Sequence, residues 1–219
     1  MIYKILSNDD VEHLKKSLTK KDFVDGKKSQ QLSSIYNIKQ NKETPIVGEV
    51  DSYLENLFTT KRILKTVYAP TRVTTQIYNK YVKDDFYDYH VDSFRSSVYN
   101  MFYNYGFTVG LSDDYEGGEF VLQTETGEVG YQIKKGEVVI FPIIYPHKVN
   151  VVTKGCRENL IGWFESKVSY EQSYILKAVA EIANTNIALL KTDSSSTVFK
   201  NLLTKTALVQ NYLVTKWGF

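Results

Sequence analysis

The chain has 219 residues, of which 42% are hydrophobic and 24% charged, enough to close a substantial core as one domain or one domain with a small appendage. A formal net charge of +2 with no long run of one sign excludes the electrostatic footprint of tight nucleic-acid binding. The single cysteine, Cys156, excludes an internal disulfide, no stretch approaches the ~18 apolar residues of a membrane-spanning helix, and MIYKILSNDDVEHLKK lacks the regions of a signal peptide, so a cytoplasmic protein is expected.

Ser7 and Asp10 predict a helix start, and Val11, Leu14 and Leu18 recur at helical spacing behind it. Residues 20–48 are polar, with Lys27-Lys28 and KQNKETP, and read as a long surface segment. A second helix is expected over Glu49 to Thr60, through Val50, Tyr53, Leu54 and Leu57. From Arg72 to Ser166 the texture changes to short runs of Val, Ile, Thr, Tyr and Phe. Strands are expected near 73–80, 87–93, 98–103, 106–111, 119–123, 129–133, 137–141 and 147–152, with another after a turn at Lys154-Gly155. Asp113-Asp114, Gly117-Gly118, Thr126-Gly127 and Lys135-Gly136 supply turns, and strands so spaced without helices between them indicate an antiparallel sandwich or barrel. Beyond Ser166, Ile175, Ala178, Val179, Ile182 and Ala183 give a helical face. Asp193 to Ser196 interrupts, and Asp193 or a serine caps a last helix through Leu202, Leu203, Leu208 and Leu213. The expected architecture is mainly β with flanking helices: an N-terminal helical and loop segment over 1–70, a β core over 71–166, and C-terminal helices over 167–219 that support the core or form a homodimer.

Of three histidines, His13 falls in the first amphipathic helix and the other two in the strand-rich core. His90-Val91-Asp92 places an imidazole and a carboxylate two residues apart, on one face of a strand. His147 follows the apolar run EVVIFPIIYP. Two histidines and one carboxylate from two strands are the inventory of a facial triad for non-haem iron(II), which leaves positions open for other ligands where a structural zinc site is closed. Arg157 stands ten residues after His147. A hairpin at Thr153-Lys154-Gly155 would bring it beside Val151, ~13 Å along the strand from His147, a gap that extended side chains narrow to the length of a five-carbon dicarboxylate.

These pieces resemble the PKHD-type, prolyl 4-hydroxylase-like hydroxylases that depend on iron(II) and 2-oxoglutarate. The matching segments are YNKY at 78–81, Tyr87, HVD at 90–92, LSDDYEGGEF, KKGEVVIFP, HKVNVVTKGCR and Trp163, with FVDGKKS near the start and a closing helical segment near Trp217. The resemblance implies a double-stranded β-helix, or jelly-roll, core. It implies that His90, Asp92 and His147 hold iron(II), that Arg157 binds the distal carboxylate of 2-oxoglutarate, and that Tyr81 and Tyr87 line the pocket. Dioxygen would convert 2-oxoglutarate to succinate and carbon dioxide while a C–H bond is hydroxylated, with ascorbate as reductant. One departure stands out: many such sequences carry an aromatic residue where this chain has Gly110. Thr108 or a tyrosine across the sheet is expected to replace that contact, unless co-substrate affinity is lower. The presence of Asp92 argues against the halogenating relatives. The expected substrate is a prolyl or other residue of a protein or peptide. The alternatives are a free amino acid or small molecule, a catalytically silent binding jelly-roll, and a zinc hydrolase, for which no separate general base is evident. Val82 to Phe86 is expected to form a mobile flap beside the metal strand.

Overall fold

The computed structural model describes residues 1–18, 22–29, 38–46, 48–192 and 195–217. Two compact units make up the chain: Met1–Asn56 with Arg72–Glu165, and residues 57–71 with the segment from Ser166 onward.

In the first unit, β1 (Ile2–Lys4) leads into α1 (Asn8–Leu18). A reciprocal cap starts this helix: the Asp10 amide donates to Ser7 Oγ at 3.1 Å, and the Ser7 amide donates to Asp10 Oδ2 at 2.7 Å. Its apolar stripe, Val11, Leu14 and Leu18, is buried as the spacing predicts. The polar stretch that follows is not wholly a surface segment. It contributes β2 (Val24–Asp25), β3 (Lys39–Gln40) and β4 (Lys42–Pro45), with Lys39, Asn41 and Glu43 all buried. Lys39 Nζ donates to Glu43 Oε2 at 2.7 Å, so two charges that would each resist burial neutralise one another. The helix expected over Glu49 to Thr60 is present as α2 (Glu49–Thr60), followed by α3 (Arg62–Tyr68).

The remaining strands are β5 (Pro70–Val82), β6 (Phe86–His90), β7 (Arg95–Ser96), β8 (Met101–Phe102), β9 (Tyr105–Gly110), β10 (Tyr115–Gly117), β11 (Phe120–Thr124), β12 (Gly127–Tyr131), β13 (Glu137–Pro142), β14 (His147–Val149) and β15 (Val152–Ser166). An eight-stranded sheet runs β1-β13-β9-β15-β5-β4-β2, with β10 also on β15; a five-stranded sheet runs β12-β11-β14-β6-β3. The two pack face to face, Phe120 of one against Phe141 of the other with ring centroids 5.0 Å apart. This is the mainly β, jelly-roll core that the sequence leads one to expect.

Two expected local features are corrected. The strand after His147 does not fold back on it: β14 pairs with β11 and β6, whereas β15 lies in the other sheet against β9, β5 and β10. Gly155, read as a turn, sits inside β15 opposite Tyr115 at φ +75°, where a Cβ would run into the Asp114 carbonyl. Val82 to Phe86 is no flap but a tight turn. The Asp84 amide donates to the Val152 carbonyl at 2.8 Å, the Val152 amide to the Asp85 carbonyl at 3.0 Å, and Asp85 Oδ2 accepts from the Val82 amide at 2.9 Å.

The second unit holds α3, α4 (Tyr170–Thr192) and α5 (Thr197–Trp217). Ser196 caps α5, accepting from the Phe199 amide, while Asp193 lies outside the described residues. Within α4, Leu176 and Val179 are buried, while Ile175 and Ile182, expected on the same face, are exposed. Among the described residues no helix is long and apolar enough to cross a membrane.

Candidate metal centre and its pocket

β14 and β6 are antiparallel neighbours, and His147 is the register partner of His90. That pairing puts the two imidazoles side by side, with ring centroids 4.2 Å apart. Asp92 lies just beyond the end of β6, so strand alternation does not place it. It is held from the other sheet, where the Trp163 indole Nε1–H donates to Asp92 Oδ2 at 2.8 Å. This leaves Asp92 Oδ1 facing the histidines, 3.8 Å from His90 Nε2 and 3.6 Å from His147 Nε2.

The tautomers follow from the main chain. His90 Nδ1 lies 2.9 Å from the Asp88 carbonyl and His147 Nδ1 lies 3.1 Å from the Tyr145 carbonyl. A carbonyl can only accept, so each Nδ1 carries the proton and each Nε2 presents its lone pair to Asp92 Oδ1. Burial, then the neighbouring His147, push the His90 pKa down to about 4, which keeps that imidazole neutral near pH 7. The three ligand atoms lie within 4.8 Å of one another, an arrangement that could hold a metal ion with two nitrogens and one oxygen on one side. Tyr87 stacks on His90 at 3.6 Å between ring centroids and 11° between planes, and Lys39 Nζ lies 4.7 Å from the Tyr87 centroid.

These groups line one cavity of ≈ 300 Å³ between the sheets, together with Tyr81, Asn79, Arg157 and Asn159. Arg157 comes from β15 across the sandwich, not from a hairpin beside His147. It is only 2% exposed. Its Nη1 donates to Asn159 Oδ1, its Nε has no hydrogen-bond partner, and no described carboxylate lies within ion-pair distance. A buried guanidinium without an anion is costly unless a ligand carboxylate completes it, so the residues present fit a ligand with an anionic group at this end of the cavity.

Tyr81 is fully buried under Arg157, the guanidinium carbon 5.3 Å from its centroid. Burial pushes its phenol up and Arg157 offsets part of that, so it stays a neutral hydroxyl. Thr108 does not reach the cavity. It stands one residue behind, where Thr108 Oγ1 accepts from Asn159 Nδ2 at 3.0 Å. Gly110 is the register partner of Asn159, and a Cβ there would run into the Lys134 carbonyl, so no aromatic side chain can be built at that position without moving backbone. His13 lies apart from the site, 3.3 Å from Glu49.

Lys39, Asn79 and Asn159 are pocket residues that the sequence reading does not single out. Asn159 carries a usable signal, two residues after Arg157 on a strand and hence on the same face.

Residues 76–165 match the 2OG-Fe(II) oxygenase superfamily. The chain is 30% identical over 169 residues to a PKHD-type hydroxylase of Idiomarina loihiensis, covering 74% of this chain and 75% of that relative. A Pseudomonas putida prolyl-4-hydroxylase has a similar fold, with a TM-score of 0.58 at 17% identity over 76% of this chain and 91% of that one. So does a Trichoplax adhaerens prolyl hydroxylase, solved in complex with a hypoxia inducible factor oxygen degradation domain peptide fragment, with a TM-score of 0.58 at 16% identity over 80% of this chain and 86% of that one.

Proposed function

We propose, from the premise that the chain belongs to the PKHD-type hydroxylases of the 2OG-Fe(II) oxygenase superfamily, that it hydroxylates a prolyl or other residue of a protein or peptide. As a member it is a 2-oxoglutarate-dependent dioxygenase. Iron(II), 2-oxoglutarate and dioxygen supply the oxidant that replaces a C–H hydrogen by hydroxyl, with succinate and carbon dioxide as co-products. The observation that carries the reading is a buried, anion-free Arg157 in the same cavity as a His-Asp-His cluster.

His90, Asp92 and His147 are the metal ligands in this reading. The Asp88 and Tyr145 carbonyls set the imidazole tautomers, and Trp163 turns one carboxylate oxygen of Asp92 toward the metal position. Arg157 takes the distal carboxylate of the co-substrate, over the Tyr81 ring. Phe120, Phe141 and Val149 line the cavity with apolar surface and limit water near the reacting atoms. Two features support a polymeric substrate: the Trichoplax adhaerens neighbour is solved with a peptide, and the cavity-lining Val91 is 57% exposed, with Phe94, next in sequence to the lining residue Ser93, 66% exposed. Ascorbate serves as reductant. Tyr174, Ile182, Leu208 and Tyr212 on α4 and α5 are exposed apolar side chains that support self-association of the second unit.

The test is succinate formation by protein loaded anaerobically with iron(II) and then given oxygen and 2-oxoglutarate, beside His147→Ala. Succinate should form with the intact chain and fall by more than ~100-fold in the variant, beyond the 10–100-fold range of outer-shell changes. Proline-containing peptides should stimulate it and free amino acids should not; the reverse pattern would establish a small-molecule enzyme. No succinate, and no absorption band of an iron(II)–2-oxoglutarate complex, would leave a silent jelly-roll. Ascorbate should sustain successive turnovers, and size-exclusion chromatography reads the oligomeric state.

A further inference from the structure

Arg157 keeps its charge available because the residue that holds it is an amide. Asn159 is 1% exposed and follows Arg157 by two residues on β15, so both side chains face the cavity. Its Oδ1 accepts from Arg157 Nη1, and its Nδ2 donates to Thr108 Oγ1 on β9 at 3.0 Å. The guanidinium can only donate, so it fixes which end of the amide is oxygen, and the fully buried Thr108 hydroxyl accepts from the other end. The guanidinium is thereby oriented at one nitrogen by a neutral acceptor. The other contacts leave its charge intact: the neutral Tyr115 hydroxyl is a second hydrogen-bonding neighbour, Gly118, at φ +65°, lets the Arg157 stem pass where a Cβ would lie 3.1 Å from Cδ, and Tyr81 offers a ring face. The Nε–H is left without a partner. Had residue 159 been aspartate, the same geometry would close an internal ion pair and quench the site for an external carboxylate. Gly110 is the register partner of Asn159 and has no room for the aromatic side chain found in similar sequences, so the Asn159–Thr108 pair stands beside Arg157 without one.

We propose that Asn159, held by Thr108, is the positioning residue that aims an un-neutralised Arg157 at the distal carboxylate and so makes the pocket selective for a dicarboxylic 2-oxo acid. This rests on the reading that Arg157 binds that carboxylate.

The experiment compares two ligands on the anaerobic, iron(II)-loaded full chain, followed by the absorption band of the iron-bound 2-oxo acid. 2-Oxoglutarate carries the distal carboxylate; 2-oxobutanoate has the same 2-oxo acid head and lacks it. The ratio of their dissociation constants isolates the arginine end of the pocket from the metal end. In the intact chain the ratio should favour 2-oxoglutarate strongly. Asn159→Asp should cut it by about ten- to a hundredfold, the worth of hydrogen bonds to a charged group, while 2-oxobutanoate binds as before. Thr108→Val, which releases the amide but leaves it neutral, should cut it less. A merely structural loss would weaken both ligands together and leave the ratio unmoved. A ratio unchanged in both variants overturns the role of Asn159 and leaves that of Arg157 standing, provided Arg157→Gln lowers it. No selectivity in the intact chain overturns the Arg157 reading, and this inference with it. Should Asn159→Asp fail to fold, Asn159→Ala and Thr108→Val decide by the same ratio.

Discussion

Along β15 the odd-numbered residues Arg157, Asn159, Ile161 and Trp163 line the cavity, while the even-numbered Glu158, Leu160 and Phe164 are buried in the layer behind it. The contrast is sharpest between neighbours. Glu158 is a buried charge with every need met: Lys15 and Tyr78 donate to its carboxylate, the latter at 2.7 Å, and Lys80 Nζ lies 2.9 Å away. Arg157 is a buried charge left without an anion. One residue apart on one strand, the paired charge faces the packed core and the charge without an anion faces the cavity, which is where a ligand could complete it.

Substitutions on the two faces should separate cleanly. Leu160→Ala, which empties a fully buried site, should cost about 3 kcal/mol in chemical denaturation and leave the KM for 2-oxoglutarate unchanged. Arg157→Leu should raise that KM by up to about a hundredfold, yet the metal-free protein should melt at an equal or higher temperature, since an uncompensated charge has been removed. Glu158→Ala should cost about 2 kcal/mol. That is below the usual figure for a broken buried pair because Lys15 and Lys80 keep 34% and 35% of their side chains exposed.

Glu158 also carries a pH signature. Burial alone would raise its pKa, but the hydrogen bonds from Lys15, Lys80 and Tyr78 together hold it below the usual value of 4.5. A carboxylate with a lowered folded pKa adds stability above the unfolded value and loses it as pH falls through the folded one. Stability measured from pH 6 downward should therefore drop less steeply in Glu158→Gln. The smallest effect is expected from Trp163→Phe, which keeps a ring against Tyr103 but frees Asp92. Iron(II) affinity should fall about tenfold with little change in melting temperature. A fall in stability comparable to that of Leu160→Ala would blur the two-face distinction.

Much of this site was legible in the sequence because much of it is local or periodic. His90 and Asp92 are two apart, and β13 ends in a short turn that delivers His147 to β14. The placement of Asp92 and Arg157 is not encoded locally. Asp92 lies past its strand and owes its orientation to Trp163, 71 residues later. The glycine that looked like a hairpin is a close approach to Asp114, so β15 runs on into the other sheet and brings Arg157 from across the cavity. Which strand pairs with which depends on contacts far apart in sequence, and a local turn signal does not encode it. β3 and β4 were illegible for a different reason. Their lysine and glutamate look solvent-loving one at a time, and the mutual pairing of Lys39 and Glu43 offsets the cost of burying both.

The cavity lies between two sheets whose contributions are unequal, histidines from one and an arginine from the other. A dicarboxylate bridging metal and guanidinium would act as a tie-rod across the sandwich. At a hundred times its dissociation constant such a ligand adds about 2.7 kcal/mol to the unfolding free energy. Resistance of this chain to heat and to proteases would then rise with the concentration of that ligand.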